Sequence, residues 1–205
     1  METKRVLVNN LGTGLTEALN LTEEVGQSCG LSNKENIRLR LLAEELTGML
    51  RSIAGKLDAD YWIIYEGKKF QLHLLADVVL NQEMRKQFLD VSTSGKNAAA
   101  KGFMGKLRDV IAVALLPSSD TVLLMQDINA GLISTGGFSA SAVMTDAYLW
   151  SMVQYKSSFE QEGGEGAKAS EAWDELEKSI VASIADEVQV GVKGSMVEII
   201  IDKEF

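Results

Sequence analysis

Two pairs of short strands joined by glycine-bearing turns restrict the fold of this chain more than any other feature. Asp60 to Glu66 (DYWIIYE) and Phe70 to Asp77 (FQLHLLAD) flank Gly67-Lys68-Lys69. Glu187 to Val192 (EVQVGV) and Met196 to Asp202 (MVEIIID) flank Lys193-Gly194-Ser195. β-Branched and aromatic residues on both sides of a Gly-containing turn predict β-hairpins, and hence antiparallel pairing. A doubly wound parallel sheet needs a helical crossover between its strands, so strands grouped in hairpins predict an α+β fold instead.

The helical signals lie between and around these hairpins. Lys4 to Asn9 (KRVLVN) reads as a strand ending in a turn, and a helix follows from Leu15 to Ser28. Cys29-Gly30-Leu31-Ser32 then combines a glycine stop with a serine start, and Glu35 stands three residues after Ser32, as a capping box requires. The next helix, Asn33 to Ala54, places Leu39, Leu42, Leu46, Leu50 and Ile53 on one face. On its far side Ile37, Leu41, Glu44 and Gly48 form a second, mixed stripe, so the helix is expected to be covered on both sides. Asn81 to Leu89 reads as a short polar helix, Val91 to Lys101 as a loop of small residues, and Gly102 to Leu116 as a helix.

Beyond Pro117, Thr121 to Met125 is strand-like and Asp127 to Ser139 loop-like. Ser141 to Phe159 and Ala167 to Ala185 read as two helices around the acidic turn Gln161 to Gly166, with Met144, Tyr148, Trp150 and Met152 as their packing residues. The expectation is one domain over residues 1–205. It is a two-layer sandwich of helices on a mixed, mostly antiparallel sheet, with a helical insertion at 117–186.

Composition narrows the function classes. Twenty Lys and Arg against 29 Asp and Glu leave a formal charge of -9, which disfavours a grip on nucleic-acid backbones and suits a basic protein partner. The longest apolar run, Val110 to Leu116, is far short of the roughly 20 residues that span a bilayer, so no membrane segment is expected. The N-terminus lacks the apolar stretch of a secretory signal, which predicts a cytoplasmic protein. Cys29, the one cysteine, reads as a small buried residue, and His73, the one histidine, as a structural residue of its strand. Neither belongs to a cluster with metal-ligand spacing, and no Ser-His-Asp or Cys-His pair can be built.

Three segments resemble the GHKL ATP-binding fold, and within it the anti-sigma-factor serine kinases related to histidine-kinase ATPase domains. Arg40 to Leu50 (RLLAEELTGML) is similar to the helical box in which a Glu orients or activates a nucleophile and an Asn four residues later helps hold Mg²⁺. Glu44 matches the Glu, Thr47 a frequent neighbour, and Gly48 stands in place of the Asn. Leu72 to Leu80 (LHLLADVVL) resembles the strand leading to the Asp-x-Gly-x-Gly box. Asp77 there matches the carboxylate that accepts the adenine amino group, and Val79 and Asn81 replace the glycines. Ser92 to Leu107 (STSGKNAAAKGFMGKL) is similar to the ATP lid and the glycine box opening the next helix. Its Gly102 and Gly105 would present backbone donors to phosphate, and Lys96, Lys101 and Lys106 add positive charge.

The resemblance spans Lys4 to Val113 and the final hairpin. It implies a regulatory protein of bacterial type that binds ATP or ADP at Glu44, Gly48, Asp77, Ser94, Gly95, Lys96, Gly102, Gly105 and Lys106. Glu44 would be the catalytic base, and Mg²⁺ would lack its Asn ligand. The implied partner is a regulatory protein of the sigma-factor or antagonist type. The alternative is a degenerate pseudo-ATPase that serves as a protein-interaction or homodimerisation module without nucleotide.

Overall fold

A computed structural model describes residues 1–49, 57–78, 111, 115, 148–161 and 179–205. In chain order these form β1 (Val6–Asn9), α1 (Leu15–Ser28), α2 (Asn33–Gly48), β2 (Asp58–Glu66) and β3 (Lys69–Asp77). Then come β4 (Tyr148–Ser151), α3 (Met152–Gln161), α4 (Ile180–Ile184), β5 (Glu187–Lys193) and β6 (Met196–Glu204). The strands make one six-stranded sheet in the order β1-β2-β3-β6-β5-β4. The fold is therefore α+β. Every neighbouring pair of described strands is antiparallel, in line with the mostly antiparallel sheet expected.

Both expected hairpins form. The registers Glu66↔Lys69 and Lys193↔Met196 leave two-residue loops, in which Gly67 (φ 59°) and Gly194 (φ 62°) take the left-handed backbone that such loops demand. The two hairpins are joined side by side by the pairing of β3 with β6, which runs from Lys69↔Glu204 to Asp77↔Met196.

Because side chains alternate along a strand, the register sorts the sheet into two faces. The first carries Val6 and Val8, Ala59, Tyr61 and Ile63, Leu72, Leu74 and Ala76, Val197, Ile199 and Ile201, and Val188, Val190 and Val192. All of these are buried in one apolar cluster. The buried side chains of α1, α2, α3 and α4 join that same cluster. Leu39, Leu42 and Leu46 seat α2 on this face, each worth about 1.5–3 kcal/mol for leaving water. The capping box starts that helix as expected: Ser32 Oγ accepts from the Glu35 amide, and Glu35 Oε2 accepts from the Ser32 amide at 2.6 Å. A Cβ at Gly26 of α1 would sit 2.1 Å from Asn36 Oδ1, so glycine is what lets α2 approach. Thr22 and Tyr61 share a buried 2.7 Å hydrogen bond between α1 and β2.

The second helix is described from Asn33 to Gly48, and its expected end at Ala54 lies outside the described residues. Three expectations are corrected. The second stripe of that helix is not covered by described residues: Ile37 is 59% exposed, Leu41 and Gly48 are half-buried, and Glu44 is exposed. Within the helix expected from Ser141 to Phe159, Tyr148–Ser151 is a strand, paired with β5 at Trp150↔Val190. Hydrogen bonding to a neighbouring strand outranks local periodicity there, and Tyr148-Leu149-Trp150 suits a strand better than a helix. Trp150 and Met152 do pack the core, as expected, whereas Cys29 is half-buried rather than buried.

Ile111 and Leu115 are helical, in line with a helix over 102–116, and α4 falls inside the helix expected from Ala167 to Ala185. The elements expected at 81–89, 91–101 and 121–139, and the turn at 162–166, lie outside the described residues. No described helix is long and apolar enough to cross a membrane.

Candidate functional site

The residues expected to form a nucleotide site divide between α2, the end of β3 and a segment outside the described residues. Ser94, Gly95, Lys96, Gly102, Gly105 and Lys106 belong to the last group. Glu44 and Gly48 lie one turn apart in the C-terminal half of α2, so they share a face of that helix. Glu44 is exposed. Thr47, between them, is buried and donates to the carbonyl oxygens of Ala43 (2.8 Å) and Glu44 (3.1 Å), so its hydroxyl is spent within the helix. A Cβ at Gly48 would meet nothing within 4 Å among the described residues.

Asp77 is exposed at the last position of β3, between the buried residues Ala76 and Val78. Those two face the helices, so Asp77 faces the other way. Alternation thus sets Asp77 on the second face of the sheet, whereas α2, which carries Glu44, packs on the first. The metal-binding function has no better support, since Gly48 supplies no ligand atom. Among the described residues no three His, Cys, Asp or Glu side chains are grouped to hold a metal ion.

The most unusual chemistry of the described residues lies elsewhere, on the second face. His73 Nδ1 is 3.1 Å from Glu198 Oε1, with the side chains 1% and 0% exposed. The Trp62 ring stacks on the imidazole at 4.7 Å and 12°, and the Arg5 guanidinium lies 4.2 Å over the Trp62 ring. His73 Nε2 is buried with no hydrogen-bond partner among the described residues. The row across the sheet from His73 continues through Ile200, Gln189 and Ser151, all buried, and the Gln71–Asp202 hydrogen bond of 2.8 Å lies on the same face. Burial pushes the Asp202 carboxyl up, while the Gln71 amide and His73 pull it down and Asp186 adds to the rise.

In the sequence His73 reads as structural, and its burial agrees. Glu198 carries no signal of its own within MVEIIID. What places Glu198 beside His73 is the register His73↔Ile200, which makes residue 198 the diagonal neighbour across the β3–β6 pair. Alternation alone could have flagged that His73 and Gln71, and Glu198 and Asp202, each share a strand face. No known family model, curated protein or solved structure matches the chain.

Proposed function

We propose that this chain is a regulatory module of GHKL-like layout that acts by binding a protein partner and has lost the adenine site of that layout. One observation supports the reading: alternation along β3 points Asp77, the carboxylate that would read adenine, to the sheet face opposite the one that α2 and its Glu44 cover. The replacement of the metal-binding Asn by Gly48, and of the box glycines by Val79 and Asn81, points the same way. The order of parts supports the layout itself: a strand, two helices, a hairpin, and a final hairpin paired beside the first.

A second reading has one observation in its favour. The half-buried Gly48 and exposed Glu44 leave open ground on α2, where a nucleotide could lie if the 92–107 segment supplied the phosphate donors. Calorimetric titration of the folded protein with ADP and a non-hydrolysable ATP analogue, with and without Mg²⁺, separates the two. The partner-binding reading expects no heat at millimolar nucleotide. Micromolar binding that Glu44→Ala or Asp77→Ala abolishes overturns it in favour of a working nucleotide site.

A further inference from the structure

The described elements repeat one order of parts. β1, α1, α2, β2 and β3 make a β–α–α–β–β unit, and β4, α3, α4, β5 and β6 make a second. Each unit ends in a hairpin whose two-residue loop holds a left-handed glycine, Gly67 in the first and Gly194 in the second. Counting outward from those glycines matches Phe70 with Val197, Leu72 with Ile199 and Leu74 with Ile201, all buried on the first face. Tyr61 and Ile63 match Val188 and Val190 in the same way.

The helices follow the same rule. α1 rests on β1 and β2, and α3 rests on β4 and β5, while α2 lies against β3 and β6 and touches α4. His73 matches Ile200, and the two are register partners. An approximate two-fold axis normal to the sheet therefore passes between them, because it must exchange β3 with its antiparallel neighbour β6 while keeping all four helices on one face. Under that exchange the sheet order β1-β2-β3-β6-β5-β4 reads the same from either edge.

At the β3–β6 seam the two units meet as the partners of an interface would. On the first face Leu72, Leu74 and Ala76 lie beside Ile201, Ile199 and Val197. The second face carries His73 Nδ1 to Glu198 Oε1 at 3.1 Å, Gln71 to Asp202 at 2.8 Å and Lys69 to Glu204 at 3.3 Å across the seam. Backbone bonds close both ends, from the Val78 amide to the Ser195 carbonyl and from the Phe205 amide to the Lys68 carbonyl. Either unit alone would leave a long, unpaired edge strand, the kind of edge that pairs with another strand. We propose that the chain is a single-chain pseudo-dimer: the β3 edge of the first unit is an interaction surface whose partner is a second β–α–α–β–β unit, supplied by the same chain, and the seam holds the two without a continuous chain between them. Whether the protein also binds nucleotide has no bearing on this seam.

The test is a full-length chain with a protease-cleavable linker inserted between Ser118 and Ser119, cut after folding and sized by light scattering. Cutting makes the pairing of the units bimolecular and removes no contact among the described residues. The two pieces are expected to stay together at micromolar concentration and to keep the far-UV circular dichroism of the uncut chain. Ile199→Ala, in the seam, should weaken their association about tenfold or more, and Leu7→Ala, at an exposed position of the outer strand β1, less than about twofold. Val197→Ala, a smaller truncation in the same seam row, gives the same reading should Ile199→Ala not fold. The same linker between Gly136 and Gly137 gives a second cut form should the first disturb folding. Pieces that separate at micromolar concentration overturn the proposal, and so does a seam loss no larger than that of Leu7→Ala. A chain that folds with neither linker also overturns it, since the units would then depend on the continuous segment between them. Each of these outcomes leaves the nucleotide titration, and the reading it tests, untouched.

Discussion

The middle of each sheet face is buried, and the two are held by different physics. On the first, β3 presents Leu72, Leu74 and Ala76 to helices, and the cluster's described buried side chains are non-polar apart from the hydroxyls of Tyr61 and Tyr155 and the indole N–H of Trp150. On the second, the same strand presents His73, which is 1% exposed beside a glutamate that is 0% exposed. Burying apolar surface is favourable wherever it occurs, and it tolerates imperfect geometry. A buried carboxylate is tolerable only while its partner stays in place, because desolvation offsets most of the Coulomb attraction. Neighbouring residues of one strand should therefore respond differently to the same kind of substitution.

The largest effect is expected at Glu198. Replacing it with Leu removes the described partner of the buried His73 Nδ1 and should cost about 3–5 kcal/mol in urea unfolding. The double variant His73→Leu plus Glu198→Leu should recover much of that loss. Additive losses would mean that the pair is not coupled and that the second face behaves like the first. Leu74→Ala, one position along β3, should cost about 2–5 kcal/mol through the cavity it opens. Combining it with Ile199→Ala, its cross-strand neighbour on the first face, should bring no recovery, since no charge is left behind.

The smallest effect contrasts an accessible carboxylate with the buried one. Ser32 and Lys68 together hold the Glu35 carboxyl down to about 2, from an ordinary 4.5, with the Ser32 hydroxyl the largest contributor. A depressed carboxyl favours the folded state when ionised, so this contribution is complete above pH 4.5 and fades as the pH falls through about 2. Wild-type stability should drop across that window more steeply than that of Glu35→Gln. Parallel curves would show that the capping box works without the charge.

Most of the frame was legible before any coordinates. The boundaries of α1, the Ser32–Glu35 box and both hairpin turns are local signals, written in neighbouring residues, and they survive in the fold because nothing distant opposes them. The strand at Tyr148–Ser151 was not legible, since four residues carry too little pattern to outweigh the helical periodicity around them. The candidate site fared likewise: Glu44 and Asp77 follow one another in the order the resemblance demands, but which sheet face Asp77 serves depends on alternation counted from the core residues Ala76 and Val78.

By itself, then, the sequence determined the elements whose causes lie within a few residues: caps, glycine turns, the alternation of β2, β3, β5 and β6, and the apolar stripe of α2. Only the tertiary structure decided what depends on partners far apart in the chain. It paired β3 with β6 across more than a hundred residues, through contacts such as Gln71 to Asp202. That pairing seated Glu198 beside His73 and brought Asp202 to Gln71. The reason is that side-chain alternation specifies two faces for each strand, whereas the register between strands specifies which residues share them.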